Sequence, residues 1–485
     1  MPTFHVENFG CRATQADGAA LARQFEAHGL SAAPSALADL VLLNTCTVTS
    51  SADQDARAAI RRVLRQNPLA KIMVTGCYAQ RAPQEIAALP GVSAVIGNSH
   101  KHQLVEIALP MLSDLGWRAP SRAAVDVVPP VADLAAGATA FVPLSNLTAN
   151  PQSPESEARL FVSDIFAHTE LLAAPVFETA GRLTENSRTR PNLKIQDGCD
   201  NRCSFCVIPS VRGQSRSLPA NHVIREMNAL VAAGYREVVI SGINLGRWGR
   251  DLPLDDPSPF QARSPQPTFE NLIHSILAET QLQKLRISSV EPMDWSDDLI
   301  SLVASSPRIA KHAHVPLQSG SDAVLRRMHR KYRPWHYREK IERIRAAMPT
   351  AAIGADVMAG FPGETDAEFE ATRRLIADLP FTYLHVFTYS ERPGTPAASS
   401  EQVPLEVRRD RNRVLRELAA AKNLEFRRRM IGRTMSVVTL TEGALSDNFL
   451  KVELATQRPA NQLVDIKIGS LASNGLREHH ALTVL

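Results

Sequence analysis

KIQDGCDNRCSFC, residues 194–206, places three cysteines in the pattern C-x3-C-x2-C directly behind a short apolar stretch. A structural zinc site needs four ligands. No fourth stands nearby: His222 lies sixteen residues beyond Cys206, past a proline. Three closely spaced thiolates can instead hold three irons of a cubane cluster and leave the fourth iron open to a substrate or a second cofactor. The alternative is zinc, or three unrelated cysteines.

Working outward, apolar runs alternate with helical stretches downstream of this segment. Strands are expected at 193–196, 237–241, 284–288, 312–317, 353–358 and 383–387. Helices are expected at 220–233, 268–279, 296–305, 366–378 and over 322–348, the last broken at Pro334. Six β/α units in series predict a barrel or partial barrel of parallel strands. The Pro-rich insertion 249–268 reads as an exposed loop. A long, charge-laced helix follows at 403–430. Short strands at 435–440, 449–453 and 464–468 suit a small β-barrel.

Upstream, strands at 3–8, 40–44, 71–75 and 92–96 alternate with helices at 16–28 and 53–66. That pattern predicts an open, mainly parallel sheet. Residues 118–190 are rich in Pro, Ala and Ser and read as a linker, with an extended strand at 138–143. The fold class is α/β. Its parts are an N-terminal open α/β domain (1–117), the linker (118–190), a central partial (β/α) barrel (191–431) and a C-terminal β-barrel (432–485).

The other three cysteines, Cys11, Cys46 and Cys77, are far apart in sequence, yet each follows an expected strand: HVENFGC, LVLLNTC and IMVTGC. Parallel strands put their carboxyl ends on one edge of a sheet, where open α/β folds place ligands. Three cysteines at three such ends should converge, which reads as a second cluster with three protein ligands. The alternative is three small buried residues at strand ends.

Composition narrows the class of protein. Of 485 residues, 44% are apolar and 21% charged, enough for real cores, so disorder of the whole chain is excluded. The net charge of +4 is too mild to argue for nucleic acid by itself. No apolar run approaches the roughly 20 residues that span a bilayer. The first residues lack the basic start and apolar stretch of a secretory signal, so a cytoplasmic protein with no membrane partner is expected. Six cysteines in so long a chain make no disulfide framework.

CDNRCSFC resembles the signature of the radical S-adenosylmethionine (SAM) superfamily. Together with FGCRATQ, NTCTVTSSAD and VTGCYAQ it resembles the methylthiotransferases, which carry an N-terminal cluster domain, a radical SAM barrel and a C-terminal TRAM domain. KIQDGC, HVPLQSGSD, GFPGET and HVFTYSERPGTPAA look most like the branch acting on N6-threonylcarbamoyladenosine beside the anticodon, at position 37 of tRNA. Thr14 stands where this family often has Asn, and Ser210 where an aromatic residue is usual.

The resemblance implies two 4Fe–4S clusters, one on Cys199, Cys203 and Cys206 and one on Cys11, Cys46 and Cys77, with SAM on the first. It implies cofactor contacts from Phe205, Gly242, Asn244, Gln318, Ser319 and Gly360. It also implies a transferase that replaces an unactivated C–H bond on adenine with C–S. No acid–base group can remove such a hydrogen, so the cofactor supplies a radical while the protein orients it. No catalytic residue is expected beyond the cluster ligands. An electron donor and a sulfur donor are required as partners besides tRNA.

A threonylcarbamoyl group brings a carboxylate, a hydroxyl and a urea. Ser390, Arg392 and Thr395 are the expected contacts, since Arg can hold a carboxylate bidentately. RNA contact is expected from two basic stretches. Residues 325–345 carry nine Lys/Arg against two Glu, and 407–433 carry ten against three acids. Tyr332, Trp335 and Tyr337 in the first could stack on unpaired bases. Rival readings are the same chemistry on isopentenyladenosine or on a ribosomal-protein aspartate, a radical SAM enzyme for a small molecule, and a non-catalytic iron–sulfur RNA-binding protein.

Overall fold

The N-terminal sheet is built around central strands that are buried on both faces. β3 (Leu40–Thr45) is buried along its whole length, as a strand covered by helices on two sides must be. With β1 (Thr3–Asn8), β2 (Ser31–Ala32), β4 (Lys71–Gly76), β5 (Val92–Ile96) and β6 (Arg159–Phe161) it forms a parallel sheet in the order β2-β1-β3-β4-β5-β6. The helices Arg12–Ala27 and Leu104–Leu112 cover one face through Leu21, Phe25 and Leu104. Ser50–Gln66 covers the other through Ala56, Ile60 and Val63. The computed structural model describes residues 1–112, 158–167, 189–253 and 266–480. β6 comes from the stretch read as a linker, where three residues carry too little pattern to stand out. The strand expected at 138–143 lies outside the described residues, as does the middle of the 249–268 insertion.

The second unit is an arc of parallel strands: β7 (Asn192–Lys194), β10 (Glu237–Ser241), β11 (Lys284–Ile287), β12 (His312–His314), β13 (Ala352–Ala359) and β14 (Tyr383–Thr388). Between β7 and β10 the chain makes a small antiparallel pair, β8 (Gln196–Asp197) with β9 (Arg216–Ser217). The arc consists of two three-stranded sheets, β11-β10-β7 and β12-β13-β14, joined by single bridges at Leu285–Ile309 and Ser289–His314. Among the described residues β14 does not pair with β7, so the barrel is partial. The strand expected over 312–317 stops at His314. Pro316 has no N–H for the ladder, and Gln318 has φ +62. The helix expected over 322–348 is two helices, Asp322–Arg327 and Pro334–Ala347. Pro334 starts the second because its fixed φ suits a first turn, not a helix interior.

The third unit is a closed barrel in the order β15-β16-β17-β19-β18. Its strands are β15 (Thr434–Thr439), β16 (Ala444–Ser446), β17 (Lys451–Glu453), β18 (Leu463–Ala472) and β19 (Gly475–Glu478). β16 and β19 are too short to announce themselves by alternation. This barrel plugs the amino end of the strand arc. Arg286 of β11 is buried, donates to the Glu237 carboxylate at 2.7 Å, and reaches the carbonyls of Ser446 and Asp447 at 3.0 Å each. The Phe449 ring lies 4.7 Å from His312 and 5.5 Å from Tyr383, the first residues of β12 and β14. Removing 434–485 would therefore unseal the catalytic unit as well as take away a candidate RNA grip. Arg286→Ala leaves Glu237 buried with only the more distant Arg190, 3.4 Å away. A loss of about 3 kcal/mol is expected, at the lower end for a broken buried pair, read as a lower urea midpoint. Among the described residues no helix is long and apolar enough to cross a membrane.

Candidate active site between two cysteine triads

The barrel triad sits on a loop held from both sides. Gly198 has φ +71, and a Cβ there would lie 1.8 Å from the Gln214 carbonyl, so only glycine makes this turn. The Cys199 N–H then donates to the Gly213 carbonyl at 3.1 Å. At the far end Ser204 is pinned by its hydroxyl to the Arg327 carbonyl at 2.7 Å and by its N–H to Met328 at 3.2 Å. Donors aim at the sulfurs: Asn201 N–H to Cys199 at 3.4 Å, Asn244 Nδ2 to Cys199 at 3.7 Å and Arg330 Nη1 to Cys203 at 3.3 Å. Arg330 is in turn paired with Glu291 and donates to the Tyr332 hydroxyl at 3.2 Å. Burial pushes the Cys206 thiol up to about 12 and raises Cys199 as well. A bound cation reverses this by its own charge, making each a thiolate ligand.

The N-terminal triad forms where three strands end. Gly10 has φ +104, and a Cβ there would lie 2.4 Å from the Cβ of Cys46, which shows how closely the Cys11 turn passes Cys46. Burial, then the neighbouring Cys77 and Cys11, push the Cys46 thiol up to about 12. Cys77 starts the short helix Cys77–Arg81 and accepts from Arg212 Nε at 3.3 Å and Asn98 Nδ2 at 3.6 Å.

Arg212 ties the two triads together. It is buried, follows the barrel triad in sequence, and bonds Asp197 of β8 at 2.8 Å and Asp17 of the first helix at 3.2 Å. Asp17 also takes Lys101 at 3.0 Å and Lys194 of β7. Burial opposes ionisation of Asp17, yet Lys101, Lys194 and Arg212 outweigh it and hold its carboxyl down at about 2. Three cations against two carboxylates leave one positive charge beside Cys77, which suits an anionic sulfur.

The donor sets fit a cluster better than one ion. Each triad offers three cysteine sulfurs, which suits three irons of a cubane cluster with the fourth left open, whereas a closed zinc site needs four ligands. The buried Asn244 Oδ1 has no partner among the described residues, leaving an acceptor beside the barrel triad.

A cavity of about 210 Å³ lies between the triads. Val48 and Thr49, just after Cys46, form one wall. Phe205, Cys206 and Val207 form another, and Gln318, Asp356, Met358 and Ser390 close it from the strand ends. Of the residues expected from the sequence, Phe205, Gln318 and Ser390 line this cavity. Gly242 packs on Gln196, whose Oε1 would lie 2.8 Å from an added Cβ. Ser319 is buried with its hydroxyl 3.0 Å from Thr372, and the N–H of Gly360 is taken by Glu364, so both shape turns.

Arg392 and Thr395 do not reach the cavity. Arg392 is buried and paired with Asp53 of the N-terminal domain at 2.7 Å, also donating to the Thr47 carbonyl at 3.1 Å. Thr395 donates its hydroxyl to the Arg392 carbonyl at 2.7 Å. These residues lock the Cys46 loop to the barrel, and no charge on Arg392 is left for a substrate carboxylate. Tyr332 and Tyr337 are core residues, 1% and 0% exposed, so of the three aromatics only Trp335, 56% exposed, can meet a base. In the second basic stretch Arg411 and Arg413 pair with acids, while Arg409, Arg416 and Arg428 are exposed without an ion-pair partner among the described residues. Sequence reasoning missed Arg212, Arg330 and the acid Asp356. The only available signal was position: IPSVRG follows the cysteine loop, and MHRKY precedes a proline.

Residues 3–97 match the uncharacterized protein family UPF0004, and residues 193–376 match the radical SAM superfamily. The threonylcarbamoyladenosine tRNA methylthiotransferase MtaB of Rickettsia prowazekii is 33% identical over 93% of this chain and 90% of its own. That of Bacillus subtilis is 33% identical over 96% and 94%. A tRNA-2-methylthio-N(6)-dimethylallyladenosine synthase of Novosphingobium aromaticivorans is also 33% identical, over 91% and 87%. In fold, the chain is similar to the radical SAM methyltransferase TsrM of Kitasatospora setae, with TM-score 0.53 and 16% identity over 82% of this chain and 74% of that one.

Proposed function

The chain belongs to the radical SAM methylthiotransferases, and on that premise we propose that it converts N6-threonylcarbamoyladenosine at position 37 of tRNA to its 2-methylthio derivative. The observation that carries this reading is the cavity whose walls come from both cysteine loops. A base held there would lie against residues of both cysteine loops, Val48 and Thr49 on one side and Phe205 and Cys206 on the other.

The family entails SAM and a 4Fe–4S cluster. Cys199, Cys203 and Cys206 are its ligands in this reading, and Cys11, Cys46 and Cys77 hold a second cluster. When bound, these groups supply the one-electron chemistry that a C–H bond without a usable pKa requires. The chain's own residues do the rest. Arg330 and Arg212 each place a buried positive charge against one cysteine sulfur, Cys203 and Cys77. Asn244 bonds Cys199 and keeps its Oδ1 for SAM, while Phe205 and Gln318 line the cavity. Apolar walls at Val48, Val207 and Met358 keep water from the reacting carbon. The C-terminal barrel and the arginines of the 405–428 helix serve as the tRNA grip. An electron donor and a sulfur donor complete the reaction, in the cytoplasm.

One observation favours a second reading. The dimethylallyladenosine relative is as similar as the threonylcarbamoyladenosine ones, so isopentenyladenosine is the rival substrate. Mass spectrometry of tRNA nucleosides decides between them. Disrupting the gene is expected to remove 2-methylthio-N6-threonylcarbamoyladenosine and leave its unthiolated precursor. Loss of the methylthio-isopentenyl nucleoside instead would move the protein to the rival branch.

A further inference from the structure

We infer that Asp356, flanked by His314 and His385, reads the polar N6 substituent of the base and sets specificity against an apolar one. This deepens the function above and rests on its reading of the substrate as an N6-substituted adenosine. The residues expected for this task, Arg392 and Thr395, are spent on the domain lock. The cavity must then recognise its substrate by other groups, and the strand arc supplies them.

Asp356 lies on β13 and His385 is its register partner on β14, so both point to the same face of the sheet. His314 stands at the end of β12, opposite Gly354. Asp356 Oδ1 is 3.2 Å from His385 Nδ1 and 3.4 Å from His314 Nε2. Burial resists ionisation of Asp356, but the two imidazoles outweigh it and keep the carboxylate charged. No lysine or arginine pairs with it among the described residues, and nothing there bonds its Oδ2. Asp356 itself lines the cavity between the cysteine triads. Its histidines differ in access: the side chain of His314 is 9% exposed and that of His385 52%. The Tyr383 ring, 5.3 Å from His385, backs the group from below.

This is an acceptor with a donor beside it, aimed into a mostly apolar cavity. A threonylcarbamoyl group carries urea N–H and hydroxyl donors for the Asp356 carboxylate, and a carboxylate and carbonyl for the exposed imidazole. A dimethylallyl group carries neither. Filling the cavity with it would cover the unbonded Oδ2 of Asp356, and a buried acceptor left without a donor is costly enough for a pocket to reject the apolar substrate. The same three side chains are close enough to hold a divalent cation, since their ligand atoms lie within 4.8 Å of one another. Asp356 lines the cavity and His385 stands half-exposed beside it, which favours the substrate.

The test is internal competition. The reconstituted full chain is given an equimolar mixture of a tRNA bearing N6-threonylcarbamoyladenosine and one bearing N6-isopentenyladenosine, and the ratio of the two methylthio products is read. Competition cancels any general loss of activity or folding. His385→Leu and Asp356→Asn should each shift the ratio toward the isopentenyl product by at least about tenfold. His385→Gln, which keeps a donor, should shift it less than His385→Leu. An unchanged ratio in both His385→Leu and Asp356→Asn overturns the inference. So does a bound metal beyond the cluster iron that disappears in these variants. The wild-type ratio judges the substrate reading separately: a wild type that favours the isopentenyl tRNA refutes the proposed function, whatever the variants do.

Discussion

A chain with Cys199, Cys203 and Cys206 all changed to alanine is expected to form no deoxyadenosine from SAM under a reductant. Its iron should fall from about eight to about four per chain after anaerobic reconstitution. The loss is total because these are the only thiols on that loop, and Asp200 beside them is engaged with the Ser215 N–H. Asn244 and Arg330 only hydrogen-bond the cysteine sulfurs and cannot replace them. The fold should survive, since Gly198 and Ser204 hold the loop at its ends by backbone and hydroxyl bonds that alanine leaves in place. Zinc in place of iron and sulfide in the wild-type protein would refute the assignment.

Cys77→Ala is expected to separate the two halves of the reaction. Deoxyadenosine formation should remain measurable, while the methylthio product falls below detection. In the proposed function radical generation draws on the barrel triad alone, and sulfur delivery on the N-terminal one. The geometry adds a complication. Arg212, which donates to Cys77, also bonds Asp197 at the root of the barrel loop. Its guanidinium keeps two carboxylate partners when the thiol is gone, so the ion network persists and the barrel loop keeps its anchor. Normal methylthio product from Cys77→Ala would remove the N-terminal triad from the mechanism.

Both triads were legible before the structure, each for a local reason. Cys199, Cys203 and Cys206 are read from spacing alone. Cys11, Cys46 and Cys77 are read from strand ends, because a parallel sheet turns a repeated pattern into one shared edge. The strand arc was legible for the same reason, apart from its irregular points. β12 ends early, just before a proline and a residue with positive φ; in the N-terminal sheet, β6 is too short to carry alternation.

Arg392 shows where such reading stops. In sequence it is a cation in a segment bordering the barrel mouth, free to meet a carboxylate. In the fold that charge is taken by Asp53, 339 positions away. Tyr332 and Tyr337 sit among basic residues in sequence, but both turn inward, Tyr337 on the buried face of its helix and Tyr332 in the loop before it, where its hydroxyl donates to the Leu317 carbonyl. Conversely, Asp356, His314 and His385 belong to three segments with no motif in common, and only strand register sets them side by side.

The sequence by itself determined the six thiols, the alternation of strands and helices and the resemblance that carries the class of chemistry, because these depend on residue identity and on periodicities that act within a few residues. Only the tertiary structure decided which charges are spent on one another and which still face the cavity. Ion pairs and hydrogen bonds act over about 3 Å, so the partner of a given side chain is settled by packing between segments and leaves no trace in local spacing.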